Sequence, residues 1–418
     1  MPRFTGFAGI LSALVLAAPA ASAASPTLES VVIVQRHGVR PPTKPASSLA
    51  KYASQAWPDW PVAPGELTPH GAEAVRLLGA WTRAHYAALG VLPAKGCPGS
   101  GDVFVWADGA DHRTVDSGNA MLRGLAPGCG VTDQHGTAGR EDAVFAAMES
   151  GQCPLPDAVA QAEIPLVQAR LKALPASYAP ALAALRQVLA PGISGAACNA
   201  DLCFEDGKNA VGQDEGKAKV KGPLGTAASL AEDLLLEDAE GFSGDRLGWG
   251  RLNDAKLTQI MTLHALASDI TRRDPAVAGH NGAMLAQDVL AALGGGAPLP
   301  AQHGKRARIT VFLGHDTNLD NLAGIFGLTW SLPGQPDDTA PDTALVFERW
   351  RDAPGHETVR VFVRYQTLAQ LRGLTRLAGD EKPGEVALTP GYCRAAGCDI
   401  ADLQRRVRQV VPEACLIK

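Results

Sequence analysis

Two short β-branched runs, Ser30–Gln35 (SVVIVQ) and Ile309–Leu313 (ITVFL), each break directly into a charged turn that carries glycine. The first turn is Arg36-His37-Gly38-Val39-Arg40-Pro41-Pro42 and the second is Gly314-His315-Asp316-Thr317-Asn318. A continuous apolar run of this kind predicts a strand buried on both faces of an α/β sheet, and ligands of such sheets bind beyond the carboxyl ends of the strands. Similar runs at Val103–Ala107, Ala344–Trp350 and Val359–Tyr365 predict further strands. The last two partly alternate apolar with polar residues, which predicts one wetter face or an edge position. Helical spacing links Val75, Leu78, Trp81, His85 and Leu89, then Ile260, Leu263, His264, Ala267 and Ile270, then Ile400, Leu403, Val407 and Val410. The expected fold class is therefore α/β, a central mixed sheet flanked by helices.

From about residue 154 to 266 the β-branched runs disappear and the chain becomes rich in Ala and Leu with helical pattern, as at Ala179–Ala190 and Ser229–Ala239. This predicts a second, mostly helical domain at 154–266, inserted into an α/β domain made of 25–153 and 267–418. Glu205–Gly222, glycine-rich and mixed in charge, is expected to form a solvated loop. A length of 418 residues with 46% hydrophobic and 19% charged residues excludes a small module and a disordered chain. With 38 Lys+Arg against 43 Asp+Glu and no basic tail, nothing offers a footprint for nucleic acid.

The leader MPRFTGFAGILSALVLAAPAASAASP has one positive charge at Arg3, an apolar core and the small residues Ala21-Ser22-Ala23. That pattern predicts a secretory signal at 1–24, and the core is too short to span a bilayer. A periplasmic or secreted protein follows, and its eight cysteines suit an oxidising compartment. Their spacing leaves the pairing open, although Cys198 with Cys203 and Cys393 with Cys398 are close enough to close small loops.

In the first charged turn, two guanidinium groups flank an imidazole. Guanidinium recognises phosphate oxygens in planar, bidentate fashion, and a neutral imidazole between cations can attack phosphorus. Neighbouring positive charge also disfavours imidazolium, so His37 is expected to stay nucleophilic in mild acid. In the second turn, a carboxylic acid at Asp316 could protonate a leaving alkoxide and His315 could donate to a phosphoryl oxygen. The alternative for His315 and Asp316 is that they merely cap the following helix.

Together, the RHGxRxP pattern beginning at Arg36 and the His315-Asp316 pair resemble the histidine acid phosphatases, a branch of the histidine phosphatase superfamily with a phosphoglycerate mutase-like fold. Gly314–Trp350 and Ala107–Thr114 are similar to the bacterial periplasmic phytases, and Arg113 matches that family's third phosphate-binding arginine. The resemblance implies a phosphomonoester hydrolase in which His37 becomes a covalent phosphohistidine and Asp316 is the proton donor. Arg36, Arg40, Arg113 and His315 would hold the equatorial phosphoryl oxygens. It implies no metal and no cofactor, a small organic phosphate monoester as the binding partner, no nucleic-acid or membrane partner, and a monomer. Thr43 and Lys44, Glu232 and His264 fall where the phytase group lines its pocket, so myo-inositol hexakisphosphate is the expected substrate. Glucose 1-phosphate or a broad range of monoesters is the enzymatic alternative, a phosphomutase is a further one, and an anion-binding module without turnover is the alternative from another class. The family pattern pairs Cys97 with Cys129, Cys153 with Cys415, Cys198 with Cys203 and Cys393 with Cys398. Departures from that pattern are the Asp-rich loop at 337–342, the short Cys198–Cys203 spacing and the lysine-rich segment, each expected to alter access to the pocket.

Overall fold

Strand β1 (Thr27–Arg36) lies near the middle of a seven-stranded mixed sheet in the order β3-β2-β6-β1-β7-β8-β9. Its partners are β2 (Val103–Ala107), β3 (Gln134–His135), β6 (Ile309–Gly314), β7 (Ala344–Arg351), β8 (Glu357–Tyr365) and β9 (Gly384–Leu388). β1, β6, β2 and β3 run parallel, whereas β7, β8 and β9 add antiparallel strands beyond β1. This is a computed structural model, and it describes residues 1–2, 25–193, 197–214, 217–294, 307–352, 355–394 and 397–417. The signal expected at 1–24 lies outside the described residues from residue 3 onward.

Alternate residues of the central strands face two different cores, which is why their sequences are apolar without a break. Val31, Ile33, Val105, Val311 and Leu313 pack under α2 (Pro69–Ala88) and α3 (His112–Leu125). Val32, Val34, Phe312, Leu345 and Phe347 pack under α9 (Ala283–Gly294), α10 (Asp316–Phe326) and α12 (Ile400–Val410). Each such side chain, fully withdrawn from water, contributes about 1.5–3 kcal/mol. α2 starts where Thr68 accepts a hydrogen bond from the Gly71 N–H, with Pro69 in the first turn where its missing N–H costs nothing.

A third core joins α4 (Asp157–Lys172), α5 (Tyr178–Leu189), α6 (Pro223–Ala239) and α7 (Asp254–Thr271), with α11 (Leu368–Gly373) contributing Leu368 and Leu371. The helices α1 (Ala46–Leu49) and α8 (Pro275–Asn281) complete the set. α7 runs through the boundary expected at 266 and ends at Thr271. No helix among the described residues is long and apolar enough to cross a membrane.

Two expectations are corrected. Glu205–Gly222 is not a solvated loop throughout, because β4 (Ala210–Asp214) and β5 (Lys217–Lys221) form a hairpin within it. The period-two pattern KAKVK carries that signal, with Ala218 and Val220 buried against the helical core and Lys219 exposed. β7 and β8 are internal strands rather than edges; Glu348 and Arg364 are buried, whereas Arg360 is exposed and Arg351 and Glu357 are half-buried, so the wetter face is confined to one end. The Tyr86 hydroxyl of α2 donates to Glu348 at 3.0 Å and accepts from Arg364 at 3.1 Å. Disulfides join Cys97 to Cys129, Cys153 to Cys415, Cys198 to Cys203 and Cys393 to Cys398.

Candidate active site

The carboxyl ends of three adjacent parallel strands, β2, β6 and β1, bring Asp108, His315 and His37 to one edge of the sheet. Backbone bonds hold the three turns in fixed register. His37 N–H donates to the Gly314 carbonyl at 2.9 Å, Arg36 N–H to Thr343 at 3.0 Å, and Asp108 N–H to Leu313 at 2.9 Å. Gly38 is required at the next position by close approach, because a Cβ there would lie 2.9 Å from the Gly71 carbonyl, Leu67 and Val75. The His37 ring is buried with Nδ1 2.8 Å from the Gly38 carbonyl. An acceptor at that distance places the proton on Nδ1 and leaves the lone pair on Nε2. Burial, and after it the charges of Arg113, Arg40 and Arg36, hold the ring well below the usual histidine range. The imidazole is therefore neutral and nucleophilic in acid solution.

Around it stand the expected anion ligands. Arg36 is fully buried and anchored by Nη1 on the Thr339 carbonyl at 2.7 Å, and Arg113 is forked onto Asp111 at 2.8 and 2.6 Å. The His315 ring lies edge-on to His37 with centroids 5.5 Å apart, and its Nε2 is 2.9 Å from Asp108. His315 occupies the N-cap position of α10, but its ring is turned to Asp108. The helix start is instead tied by Asn318, whose Oδ1 accepts from the His315 N–H at 2.8 Å. Asp108 went unnoticed in the sequence reading, and its position directly after the Val103–Ala107 run was the available signal.

Glu232, from α6, brings Oε1 onto Arg36 and within 3.2 Å of Arg40 Nη2. Burial alone would raise this carboxyl, yet Arg40 and Arg36 outweigh burial and keep it below the ordinary glutamate value. A carboxylate thus occupies the two arginines expected to bind a phosphoryl group. Glu232→Gln is expected to tighten inhibition by inorganic phosphate by about tenfold, the worth of hydrogen bonds to a charged group. An unchanged inhibition constant would show that Glu232 does not compete for those arginines.

Asp316, at the first turn of α10, accepts from the Arg272 guanidinium at 2.5 Å and lies 3.8 Å from His264 Nε2. Burial would raise it, but Arg272, Arg36 and His264 together hold it well below the usual carboxylate range. The carboxyl expected to act as the acid is accordingly ionised in the free enzyme. His264 is buried, which would lower its pKa, but Asp337 lies 3.2 Å from Nδ1 and raises it to about 9. The Asp-rich loop expected to alter access packs into this cluster. Asp337 is buried beneath the site, 3.6 Å from Arg36 and bonded to His264, and Asp342 is buried against the nucleophile turn, its N–H on the His37 carbonyl. Arg272 was not anticipated, because no motif marks it.

Thr43 and Lys44 are exposed and border, with Arg40, Glu232, Lys219 and Lys221, a cleft of about 430 Å³. Glu232, His264 and Asp316 bring possible ligand atoms within 4.8 Å of one another. A protonated His264 between two carboxylates fits an ion-pair cluster better than a metal-ligand set, which requires neutral imidazole.

The model of branch 2 of the histidine phosphatase superfamily matches residues 27–170. Phytase AppA of Escherichia coli is 35% identical over 93% of each chain, and a glucose-1-phosphatase of Salmonella typhimurium is 27% identical over 84% of each. Among solved structures, Hafnia alvei phytase in complex with myo-inositol hexakis sulphate superposes with a TM-score of 0.86 at 35% identity, covering 94% of this chain and 99% of that one. The strand-end histidines and the arginines around them stand on a fold shared along nearly the whole chain, which therefore belongs to branch 2 of the histidine phosphatase superfamily and is a phosphomonoester hydrolase.

Proposed function

We propose that this chain is an exported phytase, acting as a monomer, that hydrolyses myo-inositol hexakisphosphate through phosphohistidine at acidic pH. The observation that carries the reading is the mouth of the site, where Lys44, Lys219 and Lys221 surround the cleft that leads to Arg40. A ring bearing several phosphates meets cations there that a small sugar monophosphate could not reach simultaneously. The likeness to two phytases at about equal identity supports it. Residues from 154 through the end of α7 then form a helical domain whose hairpin and α6 wall the cleft, beside an α/β domain made of 25–153 and the segment after Thr271. Export removes 1–24.

In the first step, His37 Nε2 forms a bond to phosphorus as the ester P–O bond breaks, and Asp316 gives its proton to the departing alkoxide. Arg36, Arg40, Arg113 and His315 hold the three equatorial oxygens, so positioning and charge stabilisation supply most of the rate. In the second step, Asp316 takes a proton from water as that water displaces His37, and inorganic phosphate leaves. Thr43 and Lys44 hold the remainder of the substrate, with Glu232 and His264 on the helical side.

Phosphate release from phytate and from glucose 1-phosphate, at about pH 5 with EDTA, tests the reading, because an acid must be protonated to act. A higher kcat/KM for phytate supports it, a higher value for glucose 1-phosphate replaces it with a sugar phosphatase, and no turnover of either leaves a binding module. Asp316→Asn is expected to cut kcat on both substrates by about 10²–10⁴-fold. With p-nitrophenyl phosphate, whose phenolate departs without a proton, the same variant should still show a burst of p-nitrophenolate slowed by less than about tenfold, while steady turnover falls because water is no longer activated. Equal losses in the phosphoenzyme-forming burst on alkyl and aryl esters would remove Asp316 from the acid role.

A further inference from the structure

Arg272 follows the last turn of α7 and faces Asp316. Its Nη1 donates to Asp316 at 2.5 Å and also lies 3.4 Å from Asp320. Asp320 is fully buried and also holds Arg273 Nε at 2.8 Å, so it tethers both arginines. The Arg272 side chain is 33% exposed, unlike its two carboxylate partners at 14% and 0%. With Glu232, His264, Thr317 and Asn321 it borders a second cleft, of about 350 Å³. This cleft meets the lysine-rimmed one at Glu232.

The free-enzyme contact conflicts with the chemistry of Asp316. A carboxyl group that is to donate a proton has to be neutral, and a guanidinium hydrogen-bonded to it favours the ion. Other charges face Asp316 from every side: Arg36 from β1, Arg113 from α3, Glu232 from α6, His264 from α7 and Asp320 from its own helix. Among these neighbours, Arg272 is the group that hydrogen-bonds the carboxylate and also reaches solvent. Its side chain can therefore swing toward solvent, and the carboxylate it leaves without a partner then favours taking up a proton.

We propose that Arg272 is a substrate-binding switch that pairs Asp316 in the free enzyme and moves onto a second phosphate of the substrate beside the leaving oxygen, freeing Asp316 to take a proton from solvent. The assignment rests on the polyphosphate reading above and deepens it. One residue then both selects substrates with adjacent phosphates and arms the acid when such a substrate is bound.

The test uses the mature enzyme, with Arg272→Gln and Arg272→Lys beside wild type, and glucose 1-phosphate hydrolysis as the assay. Myo-inositol hexakissulfate and inorganic sulfate serve as competitive inhibitors that need no turnover. Arg272→Gln is expected to weaken hexakissulfate by about tenfold while sulfate changes less than about twofold, as loss of one charge-assisted bidentate contact predicts. Arg272→Lys should fall between the two. The alkaline limb of kcat/KM for glucose 1-phosphate should move up by about one pH unit in Arg272→Gln, because losing a cation raises the free-enzyme value of Asp316. A purely structural role would not move that limb. Parallel weakening of both inhibitors, or a limb that stays in place, would overturn the proposal, and thermal melting of each variant separates these results from misfolding. Wild-type enzyme that ignores phytate would remove the phytase reading and leave both Arg272 readouts in force.

Discussion

Alanine in place of His37 is expected to lower kcat by about 10⁴-fold or more on every phosphomonoester, since the variant lacks the nucleophile and not merely a binding group. The reason is geometric. His37 is held by the Gly314 carbonyl at its N–H and by the Gly38 carbonyl at Nδ1, so a single lone pair, on Nε2, is presented between Arg36, Arg40 and Arg113. Water admitted to the space of the lost ring has neither that orientation nor that nucleophilicity. Phosphate binding should persist, because the arginines are anchored independently, Arg36 on Thr339 and Arg113 on Asp111. Rapid quench with labelled substrate should trap an acid-labile, base-stable phosphoenzyme in wild type and none in the variant. Trapped label of unchanged amount in His37→Ala would place the covalent step on another residue.

Replacing both Cys153 and Cys415 with serine is expected to cost about 5 to 6 kcal/mol of stability in the chain-entropy account. The bridge closes a loop with a sequence separation of 262, so the unfolded chain gains a large freedom when it is cut. The native state loses an anchor as well. Cys153 belongs to the core that holds α9, α10 and α12, and the segment before it supplies the Phe145 carbonyl that accepts from Asn318 at 2.8 Å, next to the His315-Asp316 turn. Replacing Cys198 and Cys203, whose separation is 5, should cost about 2 kcal/mol by the same logic. Denaturant unfolding of the two double variants measures the difference. Equal losses would mean that the long bridge acts through local packing and not through loop closure.

These expectations differ in how much of them the chain itself announces. The strand before His37 and the strand before His315 were legible because a buried parallel strand writes itself as an unbroken apolar run, and the polar turn after it is contiguous in sequence. The hairpin at Ala210–Lys221 was equally local, yet its alternating pattern was hidden by lysines on the solvent face. That β7 and β8 lie inside the sheet and not at its edge was not legible, because Glu348 and Arg364 pair with Tyr86, far away on α2, and such compensation leaves no mark in the strand's own pattern.

Sequence by itself determined the α/β class, the nucleophile turn and the histidine–aspartate turn, and the resemblance carried on those motifs supplied the phosphatase roles. Tertiary structure alone decided the state of the acid. Glu232 reaches Arg36 across 196 residues, Asp337 reaches His264 across 73, and Arg272 reaches Asp316 across 44. The charge on Asp316 and His264 is set by those distances, because an electrostatic interaction depends on separation in space and on burial, and neither is encoded in the spacing of residues along the chain.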